Sequence, residues 1–218
     1  MAACSRTGLL QRRAKPLERA WAQVLREAGA RMVPQPLLRD MDVALQAADD
    51  GRRVDIVAYG LSVFGGVPIC GDATLVSPLH SNGEPWRGTE CTDGLRLRAA
   101  RRRKEVVYPE LTNSAVAKLV VLGHEVGGRW APEAIRLLGR LARVRCSQTM
   151  GLLRRSARVA WHRRWLTMIS TAVQASLAAS LAEPAALLTA CPADAVPETS
   201  EVSGELKLPP TGSRLPLR

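Results

Sequence analysis

Residues 67–78, VPICGDATLVSP, decide the fold. Val67, Ile69, Cys70, Ala73, Leu75 and Val76 leave no regular polar face. A run this continuously apolar predicts a strand buried on both sides, central in a sheet. Its one ionisable residue is Asp72, and a buried carboxylate is costly unless something pairs with it. Just upstream, residues 52–60, RRVDIVAYG, predict a shorter strand ended by Gly60, with Asp55 at its mouth. The Gly65-Gly66 turn joins the two as a hairpin, which can bring both carboxylates to one spot. Two such oxygens, completed by water and a phosphate oxygen, suit a hard cation such as Mg2+ or Mn2+. The competing reading is structural: Asp55 bonds a turn and Asp72 pairs with an arginine.

Working outward, PLERAWAQVLREAGA (16–30) predicts a helix whose stripe is Leu17, Trp21, Val24, Leu25 and Ala28, stopped by Gly29. Pro34 and Pro36 forbid helix in residues 31–45, which predict an extended edge strand containing Arg39 and Asp40. Residues 79–93 read as a loop, and 94–107 as a basic helix that Pro109 ends or kinks. KLVVLGHEVG (118–127) is a further apolar strand. Ala131-Pro132-Glu133 opens another helix, with Ile135, Leu138, Leu141 and Ala142 opposite Arg136, Arg140 and Arg143. Residues 149–182 form one helix or two, with a stripe through Trp161, Trp165, Met168 and Ala172. The predicted order is helix, three strands, helix, strand, then helices: an α/β fold with a mixed sheet flanked by helices and a C-terminal helical extension. The expected organisation is a disordered basic segment 1–14, an α/β domain 15–147, the helical segment 148–182 and a disordered proline-rich tail 183–218.

The 218 residues carry 31 Lys and Arg against 20 Asp and Glu, a net charge of +11. That excess points to an anionic partner. It is unevenly spread: residues 32–90 sum to −4, whereas 127–165 sum to +9. An acidic hairpin between basic helices fits a cation site flanked by phosphate-binding surface, with DNA as partner and RNA as an alternative. Aromatics make up only 4%, which argues against a base-stacking sheet module. The five cysteines form no CxxC pair and lie at no zinc-finger spacing with histidine. With no secretory signal visible, they are expected to be reduced thiols of an intracellular protein. The longest uncharged stretch, Leu166 to Ala182, is too short and polar for a good membrane span, so no membrane partner is expected.

Lys104 is one of only four lysines and shares a helical stripe with Leu97, Arg101 and Tyr108. That stripe can aim an ammonium at the carboxylate pair, where it would stabilise charge developing on a phosphate. A solvated basic helix is the competing reading of the run Arg101-Arg102-Arg103-Lys104.

These stretches, DIVAY, ICGDATLVSP, KEVVYPEL and VVLGHEVGG, together resemble the restriction-endonuclease-like domain of non-LTR retrotransposon polyproteins, a branch of the PD-(D/E)XK nuclease superfamily. The resemblance covers about residues 31–145. It implies that Asp55 and Asp72 are catalytic metal ligands, that Lys104 is the lysine displaced to the following helix, and that Tyr108 is the tyrosine four residues on. Arg39, Arg53, Arg101, Arg102, Arg103, Tyr108 and Arg129 are the expected nucleic-acid contacts. The implied function is a divalent-metal-dependent DNA endonuclease, a phosphodiester hydrolase in the nucleus. The alternative is a catalytically inactive nucleic-acid-binding remnant of a mobile element. Two positions depart from the pattern: Val54 precedes Asp55 where proline is usual, and Thr74 stands where the unmigrated lysine would be.

His80, His124 and His162 are widely spaced and have no ligand partner at i+3 or i+4; His124 is expected to be a core or turn histidine. No nucleophile elbow or phosphate loop accompanies the serines, cysteines and glycines. A basic amphipathic membrane-surface helix over 149–182 is disfavoured, because charge and apolar residues segregate along the segment more than around it.

Overall fold

The computed structural model describes residues 6–41, 51–80 and 83–189. Helix α1 (Arg6–Glu27) leads into strand β1 (Arg31–Pro34), followed by β2 (Ile56–Tyr59) and β3 (Ile69–Val76). Helices α2 (Leu95–Val107) and α3 (Pro109–Thr112) cross to β4 (Lys118–Glu125). Helices α4 (Pro132–Arg145) and α5 (Arg154–Thr189) follow. The four strands form one mixed sheet in the order β1-β2-β3-β4. β1–β2 and β2–β3 pair antiparallel, and β3–β4 pairs parallel with Asp72 opposite Val121. A parallel neighbour requires a crossover, and α2 and α3 supply it.

Strand alternation sends successive side chains to opposite faces. Ile69, Ala73, Val120 and Leu122 join Leu17, Trp21, Val24 and Leu25 of α1 and Leu137, Leu138 and Leu141 of α4 in the main core. Cys70 joins Val57, Tyr108, Leu111 and Leu119 on the other face, and Val76 meets Leu97 and Ala100 of α2. Asp72 therefore lies on the α2 face. Gly123 of β4 makes the close helix approach there possible: a Cβ at this position would lie 3.2 Å from Leu97 and 3.3 Å from Ala131.

Three boundaries differ from the sequence reading. Helix α1 already runs from Arg6, so the basic segment is helical from that residue instead of disordered. Among the described residues of the expected edge strand only 31–34 form a strand, Arg39 and Asp40 sit in a short 3-10 turn, Leu38–Asp40, and 42–45 lie outside the described residues. The two prolines explain this, since neither can donate to a ladder. Helix α5 continues through Glu183 to Thr189, past the expected end of order. It is also no appendage: Trp165, Ile169 and Val173 are buried in the main core beside α1. Residues 1–5 and 190–218 of the expected disordered termini lie outside the described residues.

Glu27 ties α1 to α5. It accepts hydrogen bonds from Arg164 Nη2 at 2.7 Å and from the buried Trp165 Nε1 at 2.8 Å. Arg164, followed by the neighbouring hydrogen bonds, holds the Glu27 carboxyl down at about 2. Among the described residues no helix is long and apolar enough to cross a membrane. Cys70, Cys91 and Cys146 are free thiols, and burial pushes Cys70 up to about 12.

Candidate functional site

Asp72 sits in the middle of β3, only 1% exposed. Its Oδ1 accepts a hydrogen bond from Thr74 Oγ1 at 2.9 Å. Lys104 Nζ reaches it from α2, 2.7 Å from Oδ2, in a close ion pair that lacks hydrogen-bond alignment. Helix α2 runs back over β3, so the stripe that buries Leu97 carries Lys104 over the strand and Tyr108 beyond it.

Asp55 immediately precedes β2, which is paired to β3. Its Oδ2 accepts the Ala73 backbone N–H at 2.8 Å, which anchors it beside Asp72. Burial, then the charge of Asp72, push its carboxyl up to about 7; the Ala73 N–H, Glu18 and Lys104 modify that value less. A carboxylate raised by a like charge beside it marks a place where positive charge is in deficit.

Glu18 of α1 is the residue that sequence reasoning missed. Its carboxyl is raised by burial, and the charge of Asp72 adds to the rise, against a lowering hydrogen bond from Gln35. Nothing in a helical Glu next to an apolar stripe sets it apart from a solvated one; only the packing of α1 on the sheet brings it here. Gln35 lies between Pro34 and Pro36 and holds φ at 46°, a left-handed conformation that costs a non-glycine residue energy. Its backbone N–H donates to Asp55 O at 3.1 Å. A cavity of about 180 Å³ opens between Glu18, Gln35, Asp55 and Met32, with Arg19 and Arg26 in its wall. It gives Asp55 a way to solvent past two cations.

The remaining expected contacts are scattered. Tyr108 is 6% exposed, with its hydroxyl donated to Arg53 O at 2.7 Å, so it is a core residue and not part of an open nucleic-acid surface. Its apolar ring completes the cluster around Leu111 and Val57. Arg53 is exposed in an isolated bridge with Leu37, and Arg39 is exposed and ion-paired with Asp40 at 3.8 Å. Arg102 and Arg103 are exposed on α2. Arg101 is engaged by Glu105 at 2.8 Å and by Glu133, and Arg129 by Asp93 at 2.8 Å. His124 is buried against Trp21 and Trp130, and burial holds it down at about 4. It is a neutral core histidine.

Asp55 and Asp72 carry the right oxygen chemistry for a hard cation, and their mutual repulsion fits one. Among the described residues, no three His, Cys, Asp or Glu side chains are arranged to hold a metal ion. The two aspartates would hold it with water and substrate oxygens completing the set. No protein-family model matches the chain, and no curated protein matches it.

Proposed function

We propose that the chain is a divalent-metal-dependent endonuclease of the restriction-endonuclease-like type, acting on the phosphodiester backbone of DNA in a nuclear setting. One observation carries the reading: Asp55 and Lys104, from a strand mouth and a helix and both partly exposed, meet at the buried Asp72 of a strand centre. Asp55 and Asp72 are the residues that would hold Mg2+ or Mn2+, which when bound supplies Lewis-acid polarisation of the phosphate. The Ala73 N–H orients Asp55 and the Thr74 hydroxyl orients Asp72. Lys104 Nζ stands where its charge offsets charge gathering on a phosphate oxygen. Arg19 and Arg26 line the approach to Asp55, where a nucleic-acid backbone would pass.

The test is nicking of supercoiled plasmid by the full chain. Mg2+-dependent nicking that Asp72→Ala abolishes supports the reading. Equal nicking by wild type and Asp72→Ala sinks it.

A second reading, binding without cleavage, is favoured by Lys104 closing directly on Asp72. DNA binding that steepens as salt falls, with no nicking in Mg2+ or Mn2+, is its signature.

A further inference from the structure

Across α2 from the aspartates lies a larger cavity of about 370 Å³. That is far more than a lone phosphate fills and lies within the range of small-molecule sites, roughly 300–1,000 Å³. Its rim carries Arg98, Arg101, Arg129 and Arg136, and its floor includes Leu97 and Trp130. It has formed where the starts of α2 and α4 converge on the end of β4, an approach that the missing side chain of Gly123 allows.

The charges of this cavity are unequally committed. Glu133, its half-buried acid, is occupied by Arg101 and by the Val121 backbone N–H. Asp93, the other acid, is 91% exposed at the mouth and holds Arg129 Nη2 at 2.8 Å. Its backbone oxygen accepts from Arg98 Nη1 at 2.7 Å. Three guanidiniums are thus held in place by the chain itself, which lowers the ordering cost of using their remaining donors. Arg136 is exposed; it makes no ion pair within 4 Å among the described residues, but its charge acts on Glu133, helping to lower a carboxyl that burial raises. Guanidinium forks match phosphate oxygens; Arg101 is also held by Glu105 and Arg129 also lies 3.8 Å from Glu125, so Arg98 and Arg136 are the guanidiniums left to take an anion. The apolar floor selects a ligand with a flat, weakly hydrated part beside that anion. Trp130 packs edge-on against His124, with ring centroids 4.5 Å apart, which holds its indole steady beneath the cavity.

We propose that this cavity binds the phosphate monoester of a nucleotide, phosphate on the arginines and base on Leu97 and Trp130. The site stands apart from the aspartates and does not rest on cleavage. Two sources share this chemistry: a free mononucleotide and the 5′-phosphate end of a strand.

The experiment is calorimetric titration of the full chain with dAMP at low salt, without divalent metal. Saturable binding is expected, and Arg98→Ala/Arg136→Ala should weaken it at least tenfold. Both side chains are exposed, and an unchanged melting temperature of the double variant shows that the fold is intact. Asp72→Ala should leave the affinity unchanged, which separates this cavity from the proposed cleavage site. Adenosine, lacking the phosphate, should not bind. Competition by a 5′-phosphorylated oligonucleotide but not by its 5′-hydroxyl twin assigns the strand end; competition by neither assigns the free nucleotide. Absence of dAMP binding, equal binding of adenosine, or binding indifferent to the arginine variant would overturn the proposal.

Discussion

Lys104 Nζ lies 2.7 Å from Asp72 Oδ2, a helix and a strand meeting at one buried carboxylate. Asp72 is 1% exposed, whereas the Lys104 side chain keeps 32% of its surface open. The lysine therefore covers the carboxylate from the solvent side, neutralising a charge that the sheet alone would strand.

Removing that cover exposes its role in stability. Lys104→Met should destabilise the fold by roughly 1–3 kcal/mol, because an uncompensated buried carboxylate remains. Adding Asp72→Asn should recover part of the loss. Denaturant unfolding of the two single variants and the double variant measures the coupling. Strict additivity would show that the pair does not interact.

Asp55 sets a pH dependence of opposite sign to that of most carboxylates. Its folded value is about 7, raised from 3.8 by burial and Asp72. Between those values the folded state holds a proton that the unfolded state has released, so stability falls as pH rises from about 4 to about 7 and is flat above. Asp55→Asn should remove this slope and be more stable than wild type at pH 8. Unfolding midpoints at pH 5 and pH 8 decide it.

If Asp55 and Asp72 hold a cation, Mg2+ should raise the melting temperature at pH 8, where Asp55 is ionised. The gain should vanish in Asp55→Asn and shrink at pH 5, where a proton competes. Thermal scans with Mg2+ and with EDTA read both effects.

Glu27 behaves in the ordinary sense. Its folded value of about 2 lies below the usual 4.5, so its contribution is present above pH 4.5 and lost as pH falls toward 2. Glu27→Ala leaves the buried Trp165 Nε1 without its acceptor and should cost about 2 kcal/mol at pH 7. Acid unfolding should begin at higher pH in the variant.

Tyr108→Phe separates a core role from a nucleic-acid role. Loss of the 2.7 Å bond to Arg53 O should cost about 1 kcal/mol. DNA affinity, measured by anisotropy, should be unchanged.

Much of this architecture was legible in the residues. The unbroken apolar run around Asp72 marked a central strand, and the Leu17–Trp21–Val24 stripe marked a helix with one buried face. Proline and glycine placed the limits of α2 and the start of α4 within a residue or so. These are local signals, carried by neighbours in the chain. The shortening of β1 and the turn at Arg39 were not legible, since an extended proline-containing segment can pair or simply run on. Tyr108 was misplaced because a helical stripe gives spacing but not which side of it meets the core.

Asp55, Asp72 and Lys104 as the unusual residues were determined by the sequence alone, because a carboxylate in an apolar strand and a rare lysine stand out locally. That Lys104 neutralises Asp72, that Asp55 is anchored on Ala73, and that Glu18 and Gln35 complete the surroundings was decided only by the tertiary structure. Those distances depend on strand register, on the α2 crossover and on where α1 rests on the sheet. The arginine-rimmed cavity has the same origin: its walls come from α2, β4 and α4, which only folding brings together.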